Sequence, residues 1–134
     1  MITVNSILKA SIQKVWQCWT NSEHITQWNF ASDDWCCPKA TNDLKVGGRF
    51  SWRMEAKDGS MGFDFEGTFT EVIQNQKISY VMDDDRKVEV LFERIEGEVL
   101  VTESFDPETQ NSEELQRQGW QAILDNFKKY VEGK

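Results

Sequence analysis

Apolar and polar residues alternate cleanly through the middle of the chain. Phe50, Trp52 and Met54 share one face of a strand, with Arg49, Ser51, Arg53 and Glu55 on the other; a period of two marks a half-buried β-strand. Asp58-Gly59 is a hairpin signal, because such residues reach the positive φ that tight turns demand. Phe63, Phe65 and Phe69 then alternate with Asp64, Glu66, Thr68 and Thr70, and Gly67 marks a bulge or the close approach of a neighbour. Asn75-Gln76, Asp83-Asp84-Asp85 and Glu96-Gly97 punctuate three further strands, carried by Ile78, Tyr80 and Met82, by Val88, Val90 and Phe92, and by Val99, Val101 and Phe105. Short strands joined by tight turns predict an antiparallel meander with one apolar and one wet face.

Helical spacing brackets the meander. Residues 2 to 9 read as an opening strand. Ser11 then caps a helix whose apolar stripe is Ile12, Val15, Trp16 and Trp19. Asn21 or Ser22 opens a shorter helix carrying Ile25 and Trp28. From Phe30 to Gly48 the period is lost, so this stretch reads mostly as loop with a short strand near Lys39 to Thr41, and Phe30 and Trp35 need apolar cover. Pro107 stops the sheet, and Asn111 with Glu114, or Ser112, caps a final helix reaching about Glu132. Its apolar positions are Leu115, Trp120, Ala122, Ile123, Leu124, Phe127, Tyr130 and Val131. Glu113 and Glu114 at its start and Lys128 and Lys129 at its end suit the helix dipole. A helix of about 20 residues is about 30 Å long, enough to lie across a small sheet.

Composition narrows the function classes. A chain of 134 residues has the size of one domain, and one domain over residues 1–134 is the expectation. The net charge is −8, with 15 basic and 23 acidic groups, so a phosphate backbone or an anionic membrane surface would be repelled. No apolar run approaches the roughly 18 residues of a membrane span, and no leader pattern opens the chain. Three cysteines, Cys18, Cys36 and Cys37, read as reduced thiols, which together predict a soluble cytoplasmic protein. Six Trp and eight Phe are heavy for a mean hydropathy of −0.61, and the alternation places most of them on one face.

The blocks that carry a resemblance are VWQCWTNSEHITQW (Val15 to Trp28), VGGRF (Val46 to Phe50), Asp58-Gly59, the Gly67 strand and QRQGWQAILDNFKKYVE (Gln116 to Glu132). In this order the chain resembles the activator-of-Hsp90-ATPase-like family of the START-like (SRPBCC) helix-grip superfamily. The resemblance implies an α+β fold in which a curved antiparallel sheet grips the long C-terminal helix and two short helices close one end. It also implies an apolar cavity between helix and sheet. From the residues themselves, one helix and a Trp-rich loop are the cover available for the aromatic sheet face.

Catalytic and metal chemistry find little support. His24 is the single histidine and lies beside Glu23 in a short helix, so Ser-His-Asp and Cys-His arrangements are weakly supported. Adjacent Cys36-Cys37 lack zinc spacing, Gly47-Gly48 leads into a strand rather than a phosphate-binding helix, and Asp83 to Asp85 lack the ligand spacing of a calcium loop. No cofactor is expected. Arg49 and Arg53 point outward, away from Trp52. Glu103 shares the parity of Val101 and Phe105; unless a bulge shifts it, it should face the core, where a buried carboxylate needs a partner or a raised pKa.

The leading functional expectation is therefore binding of a small hydrophobic or aromatic molecule, lipid-like or polyketide-like. The ligand-binding set is Trp28, Trp35, Phe50, Trp52, Met54, Phe63, Phe65, Phe69, Tyr80, Glu103, Trp120, Ile123 and Phe127. Tyr80 and Trp120 offer a hydroxyl and an indole N–H to orient a polar tip. A chaperone-associated interaction domain is the alternative that the resemblance implies. A cyclase- or hydrolase-like enzyme using Glu103 or His24 is the third reading.

Overall fold

The alternating segments become strands β1 (Ile2–Leu8), β2 (Trp35–Asn42), β3 (Arg49–Ala56), β4 (Gly62–Ile73), β5 (Lys77–Met82), β6 (Lys87–Ile95) and β7 (Glu98–Phe105) in the computed structural model, which describes residues 1–133. The helices are α1 (Ile12–Thr20), α2 (Ser22–Trp28) and α3 (Glu113–Glu132). The strands form one curved antiparallel sheet in the order β1-β7-β6-β5-β4-β3-β2. Every sequential pair from β2 to β7 is a hairpin neighbour, while β1 crosses to the far side and pairs with β7, Ile2 opposite Phe105. Asn75 and Asp85 sit at positive φ, 64° and 73°, in two of the turns the sequence marks; Asn and Asp tolerate that region better than other side chains.

Ser11 caps α1 by accepting from the Lys14 amide, Asn21 caps α2 through the Glu23 amide, and Ser112 caps α3 through the Leu115 amide. These bonds satisfy donors that a helix start leaves open. α3 lies along β1, α2 packs on β2, and α1 packs against β6 and β7. Phe127, Leu124 and Val131 of α3 are fully buried. Phe127 meets the rings of Trp19 and Trp28 edge-on, at centroid distances of 4.9 and 4.7 Å.

Two local expectations need correction and two take a more definite form. Residues 35–42 form a full edge strand, not a loop with a short strand at Lys39. Its register slips by one between Cys36 and Lys39, so Cys37 and Pro38 together oppose Met54, and this bulge hides the period of two. A proline, which cannot donate to a ladder, is tolerated at such a bulge. Secondly, the bulge of β4 lies at Thr70, between Phe69 and Glu71, rather than at Gly67. Gly67 is instead a close-approach site: an added Cβ would lie 2.5 Å from the Val81 carbonyl oxygen and 2.8 Å from the Phe50 ring. Thirdly, Leu115 is 55% exposed while its neighbour Gln116 is buried. The Gln116 amide accepts from the Glu108 backbone and donates to the carbonyls of Glu108 and Asn111, tying the loop after Pro107 to the first turn of α3. The fourth concerns Phe63, which is half exposed near the sheet edge although it keeps the parity of Phe65.

Candidate functional site

The inner face of the sheet and the underside of α3 do not meet everywhere. Between them lies a cavity of about 520 Å³, a volume typical of small-molecule sites. Strands β3, β4, β5 and β7 contribute Trp52 and Met54, Phe63 and Phe65, Tyr80 and Met82, and Glu103 respectively. Helix α3 contributes Trp120 and Ile123, and the helix pair adds Trp19, Trp28 and Asn29. The rim is formed by Asp64, Glu66, Asp83, Asp84 and Arg86.

The rings are held by identifiable contacts. Trp52 lies parallel to Phe65, 7° apart at 5.4 Å, and Trp120 lies parallel to Phe105, 10° apart at 3.9 Å. Tyr80 stands edge-on to both Trp52 and Phe65. Trp52 Nε1 donates to Asn42 Oδ1, and Asn42 Nδ2 donates to the Thr20 carbonyl, both at 2.8 Å. One edge-strand amide thus fixes a cavity wall to the end of α1. Trp28 Nε1 donates to the Cys18 carbonyl, and Asn126 Nδ2 reaches back from α3 to the Trp28 carbonyl. Replacing Asn42 with Ala leaves the Trp52 N–H without its partner, and a cost of about 1–3 kcal/mol is expected, read as a lower melting temperature with altered tryptophan emission.

Electrostatically the cavity has one unusual group. Glu103 is 5% exposed and pairs across the sheet with Val4 and Val90. Burial alone pushes its carboxyl up to about 8, so it is protonated at neutral pH. Tyr80 is raised well above the usual phenol range, first by burial and then by the charge of Glu103. Arg49 grips Asp83 through two bonds of 2.7 and 2.8 Å, holding that carboxyl below its ordinary value. Arg86 Nε donates to Asp84 at 2.8 Å, and Arg53 lies 3.5 Å from Asp64. Asn29 is 5% exposed, and its Nδ2 has no hydrogen-bond partner among the described residues.

Nine of the thirteen residues singled out from the sequence line this cavity: Trp28, Trp52, Met54, Phe63, Phe65, Tyr80, Glu103, Trp120 and Ile123. Phe50, Phe69 and Phe127 do not; they are buried in the packed layer behind it, Phe50 against Phe69 and Tyr80 and Phe127 against the tryptophans of the helix pair. Trp35 is half-buried at the β2 edge and contacts Phe63 from outside. Outside the set drawn from the sequence are Trp19, Asn29 and Met82 on the walls, and Arg86 with the acidic residues Asp64, Glu66, Asp83 and Asp84 on the rim. Met82 shares the parity of Tyr80, a signal that was present. Asn29 and Arg86 lie just past an element end, where periodicity carries no direction.

The other chemical candidates lie away from the cavity wall. His24 Nδ1 is bonded to the Tyr130 hydroxyl at 2.5 Å. Burial, then the neighbouring Cys36, pushes the Cys37 thiol up to about 11, which leaves it protonated and a poor nucleophile at neutral pH. Among the described residues no three His, Cys, Asp or Glu side chains are grouped to hold a metal, and no helix is long and apolar enough to cross a membrane.

A curved antiparallel sheet closed by a long C-terminal helix and two short helices, with a cavity beneath that helix, defines a helix-grip protein. Within that class the chain belongs to the family of activator of Hsp90 ATPase homolog 1-like proteins, whose family model matches residues 9–132. It is similar to an AHSA1-like protein from Aeromonas hydrophila, with 46% identity over 98% of this chain and 93% of that one, at a TM-score of 0.90. A protein from Cytophaga hutchinsonii is 48% identical over 98% and 92% of the two chains, with a TM-score of 0.86. A protein from Nitrosomonas europaea shares the fold at 16% identity, covering 98% and 94%, with a TM-score of 0.83. None of the curated proteins matches the chain.

Proposed function

We propose that this protein acts as one domain that binds a small apolar or aromatic molecule between the sheet and α3. The observation that carries the reading is the cavity of about 520 Å³ with rings from Trp52, Phe65, Tyr80 and Trp120 on its walls. Packing alone favours filling such a space, since protein interiors are close-packed and voids are costly. Six tryptophans and eight phenylalanines in a chain of this mean hydropathy thus serve as walls as well as core. The binding groups are the cavity-lining residues named above, with Phe50, Phe69 and Phe127 as their support.

The test is a thermal-shift panel of apolar aromatic and lipid-like compounds, with hits checked by native mass spectrometry. A ligand at a hundredfold excess over its dissociation constant stabilises by about 2.7 kcal/mol, which a melting curve resolves. Neither a shift nor a mass increase across the panel, together with an interior that hydrogen exchange shows to be collapsed, would rule the reading out.

A further inference from the structure

Apolar walls do not explain Glu103. Its carboxyl is on the cavity surface, 5% exposed, with no hydrogen-bond or ion-pair partner among the described residues. A buried ionisable group without a partner is destabilising, and a site built for hydrocarbon alone would be better served by Leu or Gln. The cations near the mouth are already engaged: Arg49 with Asp83, Arg53 with Asp64, and Arg86 with Asp84. Glu103 is the acid left over. The charge of Glu103 acts on Tyr80, and the rings of Trp120 and Trp52 lie on the same cavity; aromatic faces of this kind favour a cation.

We propose that the ligand is an amphiphilic organic cation, an aromatic or alkyl body bearing an ammonium group, seated with that group on Glu103 beside Tyr80 and with its body against the other rings of the cavity. This rests on the cavity being a ligand site. The ammonium supplies the charge partner the fold withholds, and the body fills the apolar remainder. Binding then favours the ionised carboxylate, so at pH 7 it releases a proton from Glu103, whose value without ligand is about 8. The other charged or titratable groups facing the cavity are Asp64 and Glu66 of β4, Tyr80 of β5, and Asp83, Asp84 and Arg86 of the turn that follows; among the described residues the helices bring none.

The experiment compares three probes of one shape by isothermal titration: (2-naphthylmethyl)trimethylammonium, its uncharged analogue 2-neopentylnaphthalene, and 2-naphthyl tert-butyl ketone. The quaternary ammonium has no proton to lose, so its pH profile reports the protein. The cation is expected to bind at least about tenfold more tightly than either neutral probe at pH 8, with affinity rising up to about tenfold per pH unit between 6 and 7.5 and levelling above 8.5. Glu103→Gln is expected to erase both the preference for the cation and the pH slope. Neutral probes that bind as tightly as the cation, or a flat profile in the wild-type protein, would overturn the cation assignment and leave the apolar cavity standing. If no probe binds, the cation assignment falls, and the cavity itself is judged by the wider panel described above.

Discussion

Raising the pH from 5.5 to 8.5 is expected to destabilise the ligand-free protein by several kcal/mol, and Glu103→Gln to remove most of that loss. The carboxyl of Glu103 is raised by burial from an ordinary 4.5 to about 8. Between those values the folded protein keeps a proton that the unfolded chain has released, so stability falls as pH rises. The contribution is intact below about 4.5, declines through the neutral range and is gone above about 8. Each unit of pKa difference is worth about 1.4 kcal/mol, which puts the whole effect on the order of 5 kcal/mol. Asp83 titrates with the opposite sign, because its lowered value favours the folded state at higher pH and is lost in acid; it is exposed and contributes little. Urea melts of wild type and Glu103→Gln at pH 5.5, 7 and 8.5 read the difference directly. A gap between the two proteins that stays constant over this range would show that Glu103 is not the titrating group.

Truncating Phe127 to Ala is expected to cost about 3–5 kcal/mol and to lower the melting temperature by more than about 10 °C. Phe127 is fully buried at the point where α3 meets both short helices, and its ring lies edge-on to Trp19 and Trp28. Its loss opens a cavity that three helices must collapse to fill. Leu115→Ala, on the same helix but 55% exposed, is the control and should fall within about 0.5 kcal/mol of wild type. Equal effects at the two positions would mean that α3 is rotated from the orientation described.

Much of this architecture is written in local periodicity. The strands from Arg49 to Phe105 and the caps at Ser11, Asn21 and Ser112 follow from alternation and from hydrogen-bonding residues at helix starts. What escaped is what interrupts a period. At Cys37-Pro38 and at Thr70 an extra residue slips the register, so a strand resembles a loop in one case. In the other, Val72 rather than an odd-numbered residue comes to pair with Ile78. Leu115 and Gln116 exchanged roles because loop carbonyls, which no helical wheel displays, needed the amide more than the core needed leucine. The inward direction of Glu103 was legible from parity. Its lack of a partner was not, because that depends on where every other charged side chain ends.

The pairing of β1 with β7 also has a temporal consequence. Ile2 and Phe105 are opposite one another across the sheet yet about 100 residues apart along the chain. At ribosomal speeds of roughly 5–20 residues per second, the first strand emerges several seconds before its partner exists. Until then it offers the nascent chain an apolar stripe of Ile2, Val4 and Leu8 with nowhere to dock. Chaperone binding or aggregation during synthesis should therefore concentrate on β1, and mutations that slow translation beyond β6 should lower soluble yield without altering the stability of the finished protein.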